Sequence, residues 1–177
     1  MTAAEQNEAR NVLKRVAALS VQDMPTDEQL EAIRALVCTF ARSAVWESSS
    51  FREANAGEEL VYELATMPPS GSALYLVSDG ALVASPPHCH QTWSAIVGIR
   101  GCEINHLYTL EPGGGGTVAW SRQVRVDRES FLVLGAEDIH STEVSGSRAT
   151  YHLHLYGRAL HELPDFASRC YPSRRSE

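Results

Sequence analysis

The sequence lacks several features that would place the protein in a specialised class. Its four cysteines form no Cys-x-x-Cys pair, so we expect free thiols and no disulfide framework. No apolar run approaches the roughly 18 residues of a membrane span, and the polar N-terminus has no apolar signal-peptide core. These absences predict a soluble, cytoplasmic protein with no membrane partner.

Basic residues are also scarce. Fifteen Lys and Arg residues stand against 22 Asp and Glu residues, which gives a formal net charge of −7. This balance argues against nucleic acid or an anionic membrane surface as the main partner. The shortage is greatest between Glu53 and Ile99, where the chain has no Lys or Arg.

What the sequence does contain indicates an ordinary globular domain. It has 177 residues, of which 44% are apolar, and a domain of roughly 150 residues can bury about 70% of its unfolded surface. The first 50 residues read as helical and the remainder as β-structure. We therefore predict a helical extension at 1–50 that packs on a second unit at 51–177.

The helical pattern is clearest in its second segment. Thr26 is the expected N-cap, and Gln29, three residues later, completes a capping box. Leu30, Ile33 and Val37 continue at helical spacing. Both predicted helices are interpreted as a packing layer.

From Glu59 onward the sequence consists of short segments rich in β-branched and aromatic residues. Turn signals such as MPPSGS and EPGGGG separate them. Eight to ten short strands at this spacing predict an all-β sandwich or barrel. The C-terminal tail reads as irregular, with a frayed end.

Histidines are concentrated in a few short segments. His88 and His90 are two residues apart, so on a strand both rings would face one point. Neutral imidazole suits Fe, Zn, Cu and Ni alike. The alternative is a pair of surface histidines near a turn. Pro86 and Pro87 place the pair at the opening of a strand, at the barrel mouth.

A third histidine follows about 50 residues later. His140 comes directly after the apolar segment FLVLGAEDI, and a returning strand could bring it beside His88 and His90. The alternative is an isolated turn histidine. No acidic residue occurs in the twelve residues after His90, and Glu103 is the first. A carboxylate ligand is therefore not expected with this group.

The segment YHLHLYG alternates strictly. His152, His154 and Tyr156 share one face of the predicted strand. They form either the polar outer face of an edge strand or a row inside the barrel whose members hydrogen-bond serially. A histidine of this row could also be a ligand, so spacing does not settle which three bind a metal.

Taken together, PPHCHQTWSAIVGIRGCE, DIHSTEV and YHLHLYG resemble the thiol dioxygenases of the cupin superfamily, over roughly Leu60 to Gly157. That family includes cysteine, 3-mercaptopropionate and mercaptosuccinate dioxygenases. The resemblance implies a cupin barrel (a double-stranded, jelly-roll-like β-helix) and one Fe(II) held by His88, His90 and His140. It implies an enzyme, monomeric or homo-oligomeric, that oxidises a small thiol with O2 to the sulfinate.

The resemblance also implies catalytic positions. The family's His-x-Tyr motif falls on His154 and Tyr156, and His152 stands where a serine is common. Animal cysteine dioxygenases cross-link the tyrosine to a cysteine whose place here falls on Ser94 or Ala95. We therefore expect no thioether at Tyr156.

Substrate-binding residues follow less directly from the family. The arginine that binds the substrate carboxylate in cysteine dioxygenases would fall near Tyr62 here. Arg100, Arg158 and Arg169 are the remaining candidates, and Arg169 resembles the mercaptopropionate branch best. Trp93 is expected to wall the pocket.

Two other functions fit the same motifs. One is a three-histidine cupin dioxygenase that acts on a non-thiol substrate such as a diketone. The other is a non-catalytic, metal-containing cupin that binds a small molecule. The absent carboxylate ligand disfavours many enzymes of the first kind, and the polar YHLHLYG row argues against the second.

Overall fold

The computed structural model describes residues 2–48, 50–67, 71–113 and 115–172. Two helices are followed by eight strands, and the mainly β character expected of the chain is confirmed. The helices are α1 (Ala3–Ala17) and α2 (Asp27–Ala41); the strands are β1 (Glu59–Thr66), β2 (Ala73–Asp79), β3 (Ser94–Arg100), β4 (Glu103–Leu110), β5 (Val118–Val126), β6 (Phe131–Leu134), β7 (Ile139–Val144) and β8 (Thr150–Tyr156).

Both helices begin at capping boxes. At α2 the Thr26 hydroxyl accepts from the backbone N–H of Gln29, and the Gln29 side chain accepts from the Thr26 N–H at 2.9 Å, as the sequence predicts. At α1 Thr2 and Glu5 form a second box that the sequence reading missed. No helix in the described part of the chain is long and apolar enough to cross a bilayer.

The strands form two antiparallel sheets. One has the order β1-β2-β8-β3-β6 and the other the order β5-β4-β7. Apolar side chains from both sheets meet between them, Ile96 and Leu132 from the larger sheet and Val126 from the smaller. The architecture is the predicted cupin barrel, with strand β8 at the middle of its larger sheet.

The N-terminal helices cover the outer face of the larger sheet. Helix α1 packs on β1, and α2 packs on β3 and β8. Leu13 and Ile33 of the helices share one core with Leu153 and Leu155 of β8. Because Leu153 and Leu155 face the helices, the alternate residues of β8, among them His154, face the barrel interior. The interior interpretation of the polar row is thus confirmed.

One of the segments counted among the expected strands forms no strand. ALVASPP (81–87) forms no strand, although it lies along β7: Ala84 bridges Glu143, Ser85 N–H donates to the Thr142 carbonyl at 2.9 Å, and the Val83 carbonyl accepts from Val144 N–H at 3.1 Å. Pro86 and Pro87 have no N–H to donate, so the extended chain that follows pairs only at isolated positions. In the tail, 160–162 and 166–169 form single 3₁₀ turns. The predicted frayed end, 173–177, lies outside the described residues.

Candidate metal centre and its cavity

His88, His90 and His140 converge inside the barrel. All three are buried, and each offers a ring nitrogen within 4.8 Å of the others. The Nε2 atoms of His90 and His140 are 3.1 Å apart. The three rings therefore form a group that can hold a metal ion, as the sequence predicts.

Backbone pairing brings the first histidine to the third. His88 and His140 exchange two backbone hydrogen bonds, of 2.8 and 2.9 Å, although His88 belongs to no strand. Gln91, with φ of 54°, turns the chain directly after His90. Cys89 points the other way, into an apolar cluster with Val118. The structure thus supports the prediction that the thiol between the two histidines faces away from the site.

Each of the three rings is anchored through its Nδ1 atom. His140 Nδ1 lies 2.8 Å from Asn105 Oδ1, His88 Nδ1 lies 2.9 Å from the Pro86 carbonyl oxygen, and His90 Nδ1 lies 2.9 Å from the Ser94 hydroxyl. A carbonyl oxygen only accepts, so His88 and His140 carry their proton on Nδ1.

This anchoring is the arrangement that metal-ligating histidines usually show. With the proton on Nδ1, the Nε2 lone pair is left for a metal, and the hydrogen-bond partner fixes the orientation of the ring. Burial lowers the pKa of His88, and it lowers the pKa of His90 and His140 well below 6.5. All three rings are therefore neutral donors, which fits a divalent ion.

His154 and Tyr156 form a hydrogen-bonded pair beside this group. His154 Nδ1 lies 3.1 Å from the Tyr156 hydroxyl, and the Tyr156 ring packs edge-on against His90 at 4.9 Å. Burial lowers the pKa of His154 to about 3 and raises the pKa of Tyr156. The imidazole is therefore neutral and the phenol protonated; with the imidazole proton on Nδ1, the ring donates to the phenol oxygen and leaves the hydroxyl proton to be donated into the cavity.

His152 does not continue the row. Its ring centroid lies 6.4 Å from that of His154, and neither of its ring nitrogens has a hydrogen-bond partner. The serial hydrogen bonding expected of all three residues is therefore wrong at His152. Side chains two positions apart on a strand are separated by about 6.5 Å. The longer tyrosine spans that distance, whereas a second imidazole does not.

A cavity of about 520 Å³ opens in front of the three histidines. Its charged lining residues, within the described ranges, are Glu59, Asp79, Glu103 and Arg169. Arg169 is thus its single arginine, and no described lysine lines it. The segment 53–99 supplies no basic residue to the cavity, and Arg169 of the C-terminal tail supplies one.

Arg169 is held in place by the backbone around it. Its Nε donates to the Pro164 carbonyl and its Nη1 to the Cys89 carbonyl, both at 3.0 Å. The guanidinium lies over the Phe166 ring at 5.5 Å. Its positive charge contributes to the lowered pKa of His88, which places it within electrostatic range of the metal group.

Arg100 and Arg158 lie elsewhere. Arg100 pairs with Glu53 at 2.9 Å and stacks on the Tyr151 ring at 4.6 Å. Arg158 is exposed and contacts the Glu162 carbonyl oxygen at 3.5 Å. Neither residue lines the cavity.

Tyr62 and Trp93 also lie away from the cavity. The Tyr62 hydroxyl donates to the Arg52 carbonyl, and its ring packs on Phe51 at 4.8 Å. Trp93 belongs to the core on the helix side of the larger sheet. A Cβ at Gly157 would lie 2.3 Å from the Trp93 Nε1, so the indole abuts the end of β8. Trp93 lies outside the cavity because side chains alternate along a strand: Ser94 faces the interior, so the preceding Trp93 faces the helices.

In the sheet, Ser94 occupies the position that the cross-linking cysteine has in animal cysteine dioxygenases. Ser94 lies opposite Tyr156 across strands β3 and β8. Its hydroxyl serves His90. With a serine at this position, the geometry supports the expectation that Tyr156 carries no thioether.

Several residues of the site were missed from the sequence. Asn105 bridges His140 and Glu103, because its Nδ2 donates to Glu103 Oε1 at 2.7 Å. The Phe166 ring packs against His88 at 4.8 Å. Asp79 lines the cavity. The signal available for the first of these was alternation in β4, which puts Glu103 and Asn105 on one face.

The sequence matches no protein-family model and no curated protein. Its fold is similar to that of solved structures, among them a cupin superfamily protein from Desulfitobacterium hafniense (13% identity over 78% of this chain and 98% of that chain, TM-score 0.46). KdgF from Halomonas sp. is similar at 13% identity (66% and 95%, TM-score 0.47). The polyketide cyclase RemF from Streptomyces resistomycificus is similar at 17% identity (60% and 69%, TM-score 0.42).

These likenesses concern the fold alone. The activities in the names belong to those proteins. The chain itself has a mainly β cupin fold with N-terminal helices, and within the barrel a three-histidine group that can hold a metal ion.

Proposed function

We propose that the protein is a non-haem Fe(II) thiol dioxygenase, which oxidises a small thiol to its sulfinate. The observation that carries the proposal is the group of His88, His90 and His140, three neutral and anchored imidazoles beside a protonated tyrosine in one cavity. The reaction R–SH + O2 → R–SO2⁻ + H⁺ balances without a further reductant.

The three histidines would hold the iron. When bound, Fe(II) supplies the redox chemistry that transfers both atoms of O2 to the substrate sulfur. Because the histidines are neutral, they leave the double positive charge of the ion uncompensated. An anionic thiolate is thereby favoured over a neutral thiol at this point of the cavity.

Tyr156 is the proton-holding group of the proposed mechanism. Its raised pKa keeps the hydroxyl protonated, and the bond to His154 fixes the oxygen within 3.1 Å of the imidazole. A fixed donor stabilises negative charge that develops on the substrate, because no reorganisation is needed during the reaction. Tyr156 thus acts as hydrogen-bond donor, with His154 as its positioning residue.

Arg169 is the proposed binding residue for a substrate carboxylate. Its described hydrogen bonds use Nε and Nη1, which leaves Nη2 for an anion. Guanidinium groups bind carboxylates through paired N–H donors. A mercaptopropionate-, mercaptosuccinate- or cysteine-like substrate would therefore place its carboxylate toward Arg169.

The test is O2 consumption by iron-loaded protein with cysteine, 3-mercaptopropionate, mercaptosuccinate and cysteamine. We expect one O2 per thiol oxidised with at least one of them, and loss of this activity in His140→Ala. His106→Ala is the matched control, because that ring lies on the same sheet and contacts Glu143 instead of the cavity. No O2 uptake with any thiol would refute the proposal. Turnover of a diketone instead would favour a non-thiol dioxygenase.

A further inference from the structure

We propose that the barrel contains a second metal site, in which Asp79, Glu103 and His152 bind a divalent cation. These side chains are 3%, 1% and 0% exposed, and each offers a ligand atom within 4.8 Å of the others. The inference is independent of the thiol dioxygenase proposal, since it concerns different ligands and requires no particular reaction.

The three ligands come from both sheets. Asp79 ends strand β2, and His152 lies on the adjacent strand β8, where it pairs with Val77. Glu103 begins strand β4 of the facing sheet. An ion held by all three would therefore join the two sheets across the barrel interior.

Unpartnered polar atoms point to a missing ligand. Asp79 Oδ1 and both ring nitrogens of His152 are buried without a partner at good hydrogen-bond geometry; the nearby polar groups are the Glu103 carboxyl for Asp79 and the Val126 backbone for His152. Buried polar side-chain atoms normally have one, and an exception calls for an explanation such as a bound ion. The His152 Nδ1 atom is 3.6 Å from Glu103 Oε2, a contact that exceeds hydrogen-bond distance.

Charge leads to the same conclusion. Neither Asp79 nor Glu103 forms a salt bridge with any described Lys or Arg. Burial raises the pKa of both carboxyl groups, so without a metal ion the pair holds a proton that a divalent cation would displace. A divalent cation would neutralise the two carboxylates and leave the His152 imidazole as a neutral third ligand.

The donor set indicates the class of ion. Two carboxylate oxygens and one imidazole nitrogen suit first-row divalent ions such as Mn²⁺, Fe²⁺ and Zn²⁺, whereas Ca²⁺ prefers six to eight oxygens. With metal–ligand bonds of about 2.1 Å, the 3.6 Å between His152 Nδ1 and Glu103 Oε2 corresponds to a ligand angle of roughly 115–120°. The His152 and Glu103 atoms thus fit one ion as they stand, and Asp79 offers its oxygen within 4.8 Å of both.

The two metal sites would be connected through one side chain. Asn105 donates from Nδ2 to Glu103 Oε1 at 2.7 Å and accepts at Oδ1 from His140 Nδ1 at 2.8 Å. A cation on Glu103 would therefore lie one residue away from a ligand of the three-histidine group.

Metal stoichiometry tests the proposal. The protein is stripped of metal and dialysed against Mn²⁺, and bound metal is measured by elemental analysis. We expect two equivalents in the wild type and one in each of Asp79→Asn and Glu103→Gln. Glu143→Gln is the matched control, because this exposed carboxylate also faces a histidine, His106, and should leave two equivalents bound.

Two results would overturn the proposal. If the wild type binds one equivalent and Glu103→Gln binds the same, the buried carboxyl groups share a proton instead of a metal. If the second equivalent persists in both Asp79→Asn and Glu103→Gln, it binds elsewhere.

A spectroscopic measurement covers the case in which these variants do not fold. In His90→Ala/His140→Ala, which keeps all three proposed ligands, bound Mn²⁺ should show coupling to a single imidazole nitrogen by pulsed spin resonance. Bound Mn²⁺ without such coupling, or no bound Mn²⁺, would refute the site.

Discussion

Asn105 is the residue whose replacement tests the metal centre most directly. It is fully buried and makes two side-chain hydrogen bonds, one from His140 Nδ1 and one to Glu103 Oε1. Asn105→Leu keeps the approximate volume and removes both bonds. Asn105→Asp keeps an acceptor for His140 and replaces the donor to Glu103 by a carboxyl oxygen. The two variants therefore separate the support of the metal ligand from the support of the carboxylate.

The expected magnitudes differ between the variants. Loss of a hydrogen-bond partner to a metal-ligating histidine typically lowers metal affinity 10- to 100-fold, or about 1.4–2.7 kcal/mol. We expect this loss for Asn105→Leu. Each buried polar group left without a partner also costs about 1–3 kcal/mol of folding free energy, so the metal-free Asn105→Leu protein should lose about 2–6 kcal/mol. Asn105→Asp should keep metal affinity within a few-fold of the wild type.

Zn²⁺ competition against a chromophoric chelator measures the affinity. The titration is made in an Asp79→Asn background, so that the three-histidine group alone is measured, and urea unfolding of the metal-free proteins gives the stabilities. An Asn105→Leu protein that binds Zn²⁺ as tightly as its parent would show that His140 needs no support from Asn105. The assignment of His140 as an oriented ligand would then fail.

Four further outcomes follow from the structure. Tyr156→Phe should lower kcat for thiol oxidation about a hundredfold through loss of the hydroxyl donor, while elemental analysis finds unchanged iron, because the ring contact with His90 remains. Arg169→Gln should raise KM for carboxylate-bearing thiols and leave that for cysteamine unchanged in the O2 assay. Leu153→Ala should lower the unfolding free energy by about 2–5 kcal/mol in urea titrations, since this side chain is fully buried against the helices. Asp127→Asn should cost about 1 kcal/mol at neutral pH. Hydrogen bonds, chiefly from Arg125, lower the pKa of Asp127 below 3.8, so this stabilisation exists above pH 4 and disappears as pH falls further, which acid titration of both proteins would show.

The convergence of His88 and His90 could be predicted because it depends on local spacing, whereas His140 joined them through the family resemblance. His88 and His90 are two residues apart, and strand-like backbone turns both rings the same way even though this segment is not a strand. The burial of His154 followed from alternation with Leu153 and Leu155, which the helices cover. Side chains alternate in any extended backbone, because the alternation depends on the backbone conformation of each residue. It therefore holds even where the segment lacks a complete ladder of strand hydrogen bonds.

The missed residues depend on contacts between distant segments. Asp79 directly precedes a glycine at a strand end, a pattern that also fits a simple turn. Its burial results from the facing sheet, and no local pattern reports that. Trp93 shows a different kind of error. The family resemblance placed it near the histidines, but the alternation of side chains along the strand turns its indole away from the cavity. Ser94 faces His90, so the side chain before it faces the helices.

The absence of basic residues between 53 and 99 gains a physical meaning from the cavity. This stretch supplies β1 and β2, whose inward side chains include Glu59 and Asp79. A lysine or arginine on that wall could reach the buried carboxylates and neutralise them by a salt bridge. Without one, positive charge in the cavity has to come from Arg169, which the tail contributes, or from bound cations. The acidic lining and the three neutral histidines thus fit one arrangement, the one we propose, in which metal ions take the place of basic side chains.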